Sequence, residues 1–184
     1  GVQTCALPIS DEKLKENTES IRNEINNSKN KEINLLVNNI VQSCEQLAAD
    51  KLGGLIAIEN TVPLKEYIES GVSLDAKVSK ELLLNIFYPK SPMHDGAVII
   101  RDDRIVAASC ILPHTFKNYG QILGTRHKAA LGLSEGTDAH IIIISEEKGT
   151  ISYALHGQME RNITPARLQT LLMQFYKPVK KKKI

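Results

Sequence analysis

Two short stretches of this chain carry side chains suited to a phosphorylated ligand. In the first, Pro92-Met93-His94-Asp95-Gly96-Ala97-Val98-Ile99-Ile100, a histidine and an aspartate stand just before a glycine and an apolar run. An imidazole and a carboxylate can hold a divalent cation, and the carboxylate can take a proton from a hydroxyl. Neighbours in an extended chain point to opposite faces. His94 and Asp95 therefore reach one ion only if the chain turns, which Pro92 and Gly96 allow. Alone, Asp-Gly reads equally as ordinary turn punctuation with an incidental histidine beside it.

The second stretch is Leu123-Gly124-Thr125-Arg126-His127-Lys128-Ala129-Ala130. A glycine and a threonine at a helix start present N–H groups and a hydroxyl at the positive end of the dipole. Arg126 can fork onto two phosphate oxygens, and Lys128 adds a mobile point charge. His127 either donates to a phosphate or packs. A solvated helix start is the plain alternative. Further on, Ser145-Glu146-Glu147 closes an all-isoleucine strand and places a hydroxyl and two carboxylates where ligands bind in open sheets. Cation, proton acceptor and phosphate cradle in one chain point to nucleotidyl transfer.

Other chemistries find no support. There is no GxxxxGK[ST] or GxGxxG, no GxSxG, no HExxH and no paired Cys/His spacing. Cys110 falls inside an apolar strand and reads as an inert core thiol. Three cysteines (Cys5, Cys44, Cys110) at irregular spacing form no disulfide framework, which suits a reducing cytoplasm. At 184 residues, 42% hydrophobic and 24% charged, the chain has the composition of a globular domain with an appended element. Its longest apolar run, 139–144, is strand length and far short of the roughly 20 residues of a membrane helix. Five lysines, Lys177 and Lys180 to Lys183, account for the net charge of +2, so the preceding chain is slightly acidic. That argues against a nucleic-acid-binding face. The uncharged residues 1–10 read as a non-native or flexible start.

The elements that must position these groups follow from periodicity. Residues 11–30 suggest a polar helix with a thin seam of Leu14, Ile21 and Ile25, followed by a linker near 26–30. Ile33, Leu36, Val37, Ile40, Cys44, Leu47 and Ala48 then mark an amphipathic helix, which Gly53 and Gly54 are expected to stop. Strands are predicted at 55–59, 97–100, 104–112, 140–145 and 150–155. Helices are predicted at 63–69, at 80–87 behind an N-cap Ser79, at 126–133, and from Pro165 behind an N-cap Thr164. Interleaved strands, helices and two hairpins mean an α/β fold with a mixed sheet flanked by helices and an amino-terminal helical extension. The division expected is a start and polar helix at 1–30, an amphipathic helix at 31–53, a catalytic domain at 54–176 and a basic tail at 177–184.

Asp95-Gly96-Ala97 and Arg126-His127-Lys128, in this order and separation, resemble the Asp-Gly-Ala and Arg-His-Arg motifs of the diadenylate cyclase (DAC) family. The flanks resemble it too, through Glu66-Tyr67-Ile68 with Gly71, the 82–87 helix, Leu112-Pro113 and Ser145-Glu146-Glu147. The resemblance implies condensation of two ATP into cyclic di-AMP and two pyrophosphates. It implies Asp95 as catalytic residue and metal ligand, with His94 as a further ligand. Gly96, Ala97 and Leu112 would line the nucleotide, while Thr125, Arg126, His127, Lys128, Ser145 and Glu147 would bind its phosphates. The family's cofactor is Mn²⁺ or Mg²⁺, sometimes Co²⁺. Because the product is symmetric, a homodimer or higher homo-oligomer is implied, with ATP as substrate and no nucleic acid partner. A membrane becomes involved only if membrane helices precede this sequence.

Two positions depart from the family pattern. Lys128 replaces the usual second arginine, keeping the charge but losing the planar two-point grip. Ile111 stands where an aromatic ring often meets adenine. A non-catalytic nucleotide sensor of the same family is the alternative function.

Overall fold

The computed structural model describes residues 11–117, 119 and 123–177, apart from the side chains of 11–14 and 16. The expected non-native start at 1–10 and nearly all of the basic tail lie outside the described residues. Seven strands form one sheet in the order β2-β4-β3-β1-β5-β6-β7. They are β1 (Gly54–Ile58), β2 (Val72–Lys77), β3 (Ala97–Arg101), β4 (Arg104–Cys110), β5 (His140–Ile144), β6 (Ile151–Leu155) and β7 (Gln158–Ile163). β1 and β3 run parallel and all other neighbours antiparallel, so the sheet is mixed, as the sequence predicts.

The isoleucine-rich runs explain the layers. Alternation sends Ile56, Ile58, Val98, Ile100, Ile142 and Ile144 to one core. That core is shared with α1 (Asp11–Ala49), α3 (Lys80–Ile86) and α5 (Pro165–Tyr176). Leu55, Ala57, Ala97, Ile99, Ile141 and Ile143 face the opposite core with α4 (Thr125–Gly136) and residues of α2 (Lys65–Glu69). A strand covered on both faces needs no polar side, hence the unbroken apolar text. Cys44 and Cys110 are part of this packing. Burial pushes the Cys44 thiol up to about 12 and the Cys110 thiol up to about 11, so both are protonated at neutral pH.

Three expectations about the helices are corrected. No linker interrupts α1, which runs through Asn26–Asn30 without a break. Those residues are only moderately poor helix formers, and neither glycine nor proline occurs among them. The helix also stops without Gly53 or Gly54. Lys51 takes the left-handed conformation itself (φ 52°). Its N–H donates to Ala48 O and that of Leu52 to Leu47 O, the paired bonds of a Schellman stop. The two glycines are thereby free for other work. Finally, α4 opens at Thr125, one residue before the predicted start, behind Gly124. The caps at Ser79 and Thr164 are as predicted, accepting from Leu82 N and Arg167 N respectively.

Two strands, β2 and β7, were not predicted. Both are sheet edges with largely exposed, polar sequences, and each contains a non-glycine residue at positive φ, Asp75 and Asn162. The bulges break the two-residue period by which a strand is recognised.

At its middle, α4 passes directly under the chain that leads into it. A Cβ on Gly132 would fall 2.1 Å from Pro113 O and 2.7 Å from both His114 C and Thr115 N. All three are backbone atoms of a segment pinned by Thr115 N–H donating to Lys128 O. We expect Gly132→Ala to destabilise the domain by about 1–3 kcal/mol, the usual cost of overpacking. A denaturation midpoint equal to that of the wild type would show that this segment moves freely.

Candidate active site

The sheet brings the chemistry to one edge. β1 and β3 begin there, β5 and β4 end there, and β6 begins there, so Gly53, Asp95, Leu112, Ser145 and Thr150 become neighbours despite their distance in sequence. The amino end of α4 reaches the same edge and carries Thr125 and Arg126.

Asp95 is held by close backbone contact. Gly96 adopts φ 104°, and a Cβ there would lie 2.7 Å from Ser109 C and 2.9 Å from Cys110 O. Only glycine fits that conformation and that approach. Opposite it, Ser109 sits at φ 56° beside a register shift between β3 and β4. Its hydroxyl donates to Asp95 O at 2.7 Å. The bulge thus fixes the aspartate, although nothing in the periodicity of residues 104–112 marks Ser109. Asp95 and Gly96 line a cleft of about 600 Å³ with Ser109, Leu112, Thr125 and Arg126.

A second cavity, of about 550 Å³, lies beside it and contains Gly124, Thr125, Arg126, His127, Ser145 and Glu147, together with Lys148 and Arg161. Thr125, Arg126 and Glu146 belong to both walls, so the two spaces meet at the Arg126–Glu146 ion pair (Nη1 to Oε2, 2.8 Å). Gly53 lies directly beneath. A Cβ there would be 2.5 Å from Arg126 Nη1 and 2.7 Å from Glu146 Oε2. Of the glycine pair expected to stop a helix, Gly53 instead makes room for the guanidinium, while Gly54 packs against Ile144, Leu47 and Phe87.

The positive charge is unevenly placed. Burial, reinforced by Arg161, holds His127 below the ordinary histidine range, with Lys148 acting the same way and Glu147 opposing them. At neutral pH His127 is a neutral hydrogen-bonding group. Lys128 is exposed on α4 and lines neither cavity. Ala97 is fully buried and also lies outside both walls. Of the basic motif, Arg126 alone brings a full charge to the cleft. Ser109, Lys148 and Arg161 join the site without having been singled out for it, and Glu146, one of the two carboxylates expected at this strand end, lines both cavities.

The ring Nδ1 of His94 donates to Ser91 O at 2.6 Å, and the residue lines neither cavity. That bond assigns the proton to Nδ1 and leaves the Nε2 lone pair available, the tautomer of a metal-bound histidine. The described residues contain no cluster of three or more His, Cys, Asp or Glu able to hold an ion. The Asp95 carboxylate suits Mg²⁺ or Mn²⁺, which take one or two carboxylates and complete the shell with phosphate and water, whereas the His94 imidazole is a softer ligand that Mg²⁺ does not favour.

Residues 41–159 match the DAC family model, described as the nucleotide-binding domain of the DisA bacterial checkpoint controller. The chain belongs to the DAC family. It is 44% identical over 139 residues to "Cyclic di-AMP synthase CdaA" of Bacillus subtilis, covering 75% of this chain and 51% of that protein. The chain therefore spans about half the length of that curated relative. The DAC fold of this chain also superposes on DacA from Staphylococcus aureus, a crystal structure of a double mutant, with a TM-score of 0.75 and 38% identity. That match covers 77% of this chain and 95% of the other. A Bacillus cereus structure described as a hypothetical membrane spanning protein matches with a TM-score of 0.67 and 42% identity, over 69% of this chain and 63% of that one. Among the described residues no helix is long and apolar enough to cross a membrane.

Gly53 offers a direct test of how Arg126 is placed. Gly53→Ala meets only side-chain ends, so we expect the fold to persist while the ion pair shifts. Affinity for ATP, measured as a probe, should fall about tenfold, the scale of one charge-assisted hydrogen bond. Unchanged affinity would disconnect Gly53 from the ligand site.

Proposed function

We propose that this chain is a diadenylate cyclase that condenses two ATP into cyclic di-AMP and two pyrophosphates. The observation that carries the reading is the junction of the Asp95 cleft with the phosphate-suited cavity across Thr125 and Arg126. One nucleotide laid across this junction has its ribose near Asp95 and its phosphates against the start of α4 and Ser145. The names of the relatives support the same activity.

Each chain supplies one nucleotide and the product joins two, so two chains meet about a twofold axis. Ile111, 73% exposed on the cleft rim, gives that rim an apolar side chain suited to being covered. Asp95 accepts the 3′-hydroxyl proton of its own nucleotide as that oxygen attacks the α-phosphorus held by the other chain. Arg126 and the N–H groups at the start of α4 stabilise the phosphate charge, with Thr125 and Ser145 orienting it. The backbone at Leu112 meets the adenine edge, Gly96 lines the cleft beside the ribose, and Ala97 holds that glycine's strand in place. His127 donates to a phosphate as a neutral imidazole, and Glu147 bounds the phosphates beside the ion. Lys128, on the outer flank of α4, adds positive potential, which a lysine does as well as an arginine. A divalent ion, Mn²⁺ or Mg²⁺ or Co²⁺, would be held by Asp95, and by His94 once its ring turns from Ser91 O toward the cleft, and would offset phosphate charge.

The domain responsible comprises residues 54–176, preceded by a start and polar helix at 1–30 and an amphipathic helix at 31–53, which serve either as a helical regulator or as a linker from a preceding segment, and followed by a basic tail at 177–184. A cytoplasmic setting suits this activity, at the membrane if spanning helices precede the sequence.

Asp95→Asn tests the assignment. Cyclic di-AMP formation with Mn²⁺ should fall at least about 100-fold, the lower range for losing a general base, while ATP binding survives. Product identified by mass at the wild-type rate would sink the proposal.

A further inference from the structure

The second cavity has a basic wall that none of the family motifs describes. Arg161 comes from β7 and Lys148 from the turn between β5 and β6. A bulge puts Arg161 there. Ile151 pairs with Ile163 but Tyr153 with Glu160, so two steps along β6 match three along β7. Asn162, in left-handed backbone at φ 53°, lies within the shifted segment.

The consequence is a change of face within one short strand. Met159 packs with the α4-side core, whereas Ile163 packs with the α1-side core. Four residues apart in a regular strand, they would share a face. With the bulge, Arg161 stays on the α4 side beside His127 while Ile163 still reaches the opposite core. A regular strand would have to give up one or the other. Bulges re-aim side chains in this way beside functional sites.

Arg126, Lys148 and Arg161 therefore surround one cavity from three separate elements. Two carboxylates share the wall, of which Glu146 is ion-paired to Arg126. We propose that Arg161, assisted by Lys148, binds the β- and γ-phosphates of ATP and stabilises them as they depart as pyrophosphate. The inference rests on the cyclase reading above. In that transfer the 3′-oxygen bonds to the α-phosphorus, and the bond from that phosphorus to the bridging oxygen breaks. The electron pair leaves with pyrophosphate, and the hydroxyl proton goes to Asp95. Negative charge thus grows on the departing group, where a guanidinium can fork onto two oxygens.

The test titrates magnesium pyrophosphate and cyclic di-AMP separately into the full chain and into Arg161→Ala, Arg161→Lys and Lys148→Ala. Pyrophosphate affinity should fall about tenfold or more in Arg161→Ala, the scale of a charge-assisted contact. The loss should be smaller in Lys148→Ala and partly restored in Arg161→Lys. Cyclic di-AMP lacks the departing phosphates and should bind all four proteins alike. Equal loss for both ligands, or undiminished pyrophosphate binding, overturns the proposal. If Arg161→Ala fails to fold, Lys148→Ala, on an exposed turn, carries the same comparison. Failure of the wild type to bind cyclic di-AMP counts instead against the cyclase reading, and the pyrophosphate arm still judges Arg161.

Discussion

Burial of β1 and β5 on both faces is the constraint from which the rest of this molecule follows. Neither strand has a polar side, so helices must cover the sheet above and below, and the strand ends become the places where polar groups can emerge. At one such edge the backbone direction of five strands brings glycines, an aspartate and a serine together. Helix α4, packed on one face through Ala129, Ala130 and Leu133, is aligned so that its amino end arrives at the same edge. Apolar packing thus aims the polar chemistry without taking part in it.

Close approach is the second theme, and it depends on residues that carry no chemistry of their own. Gly53 lets a guanidinium lie against the backbone, Gly96 lets β3 touch β4, and Gly132 lets a loop press on α4. Gly53 and Gly96 each remove a Cβ beside a group of the candidate site, and Gly132 removes one where a loop crosses the helix. The left-handed Ser109 and Asn162 act similarly in strands, bending the ladder so that a neighbouring residue lines one of the two cavities. Strained backbone of this sort costs about 1–3 kcal/mol per residue and persists where surrounding packing enforces it.

Much of the fold was legible because its signals are local. Continuous isoleucine runs mark double-sided strands, and Ser79 and Thr164 announce their helices through short-range capping. The edge strands β2 and β7 were illegible for a physical reason. Half of their hydrogen-bonding potential faces solvent, their side chains are mostly wet, and their bulges erase the alternation. The continuity of α1 was missed because Asn and Ser lower helix propensity without breaking a helix, and packing beyond Ile33 sets its course.

Of the candidate site, residue identity already determined a carboxylate at Asp95, a helix start with the groups suited to an anion at Gly124–Arg126 and a hydroxyl at Ser145. Short motifs carry that information because each depends on neighbours within a few residues. Which of these groups meet was decided only by tertiary structure. Arg126 and Glu146 join two cavities over Gly53, whereas Lys128 faces outward from the same helix turn. Arg161, invisible in a polar edge strand, enters through a bulge. These relations depend on register and packing between segments up to about a hundred residues apart, and no local pattern encodes them.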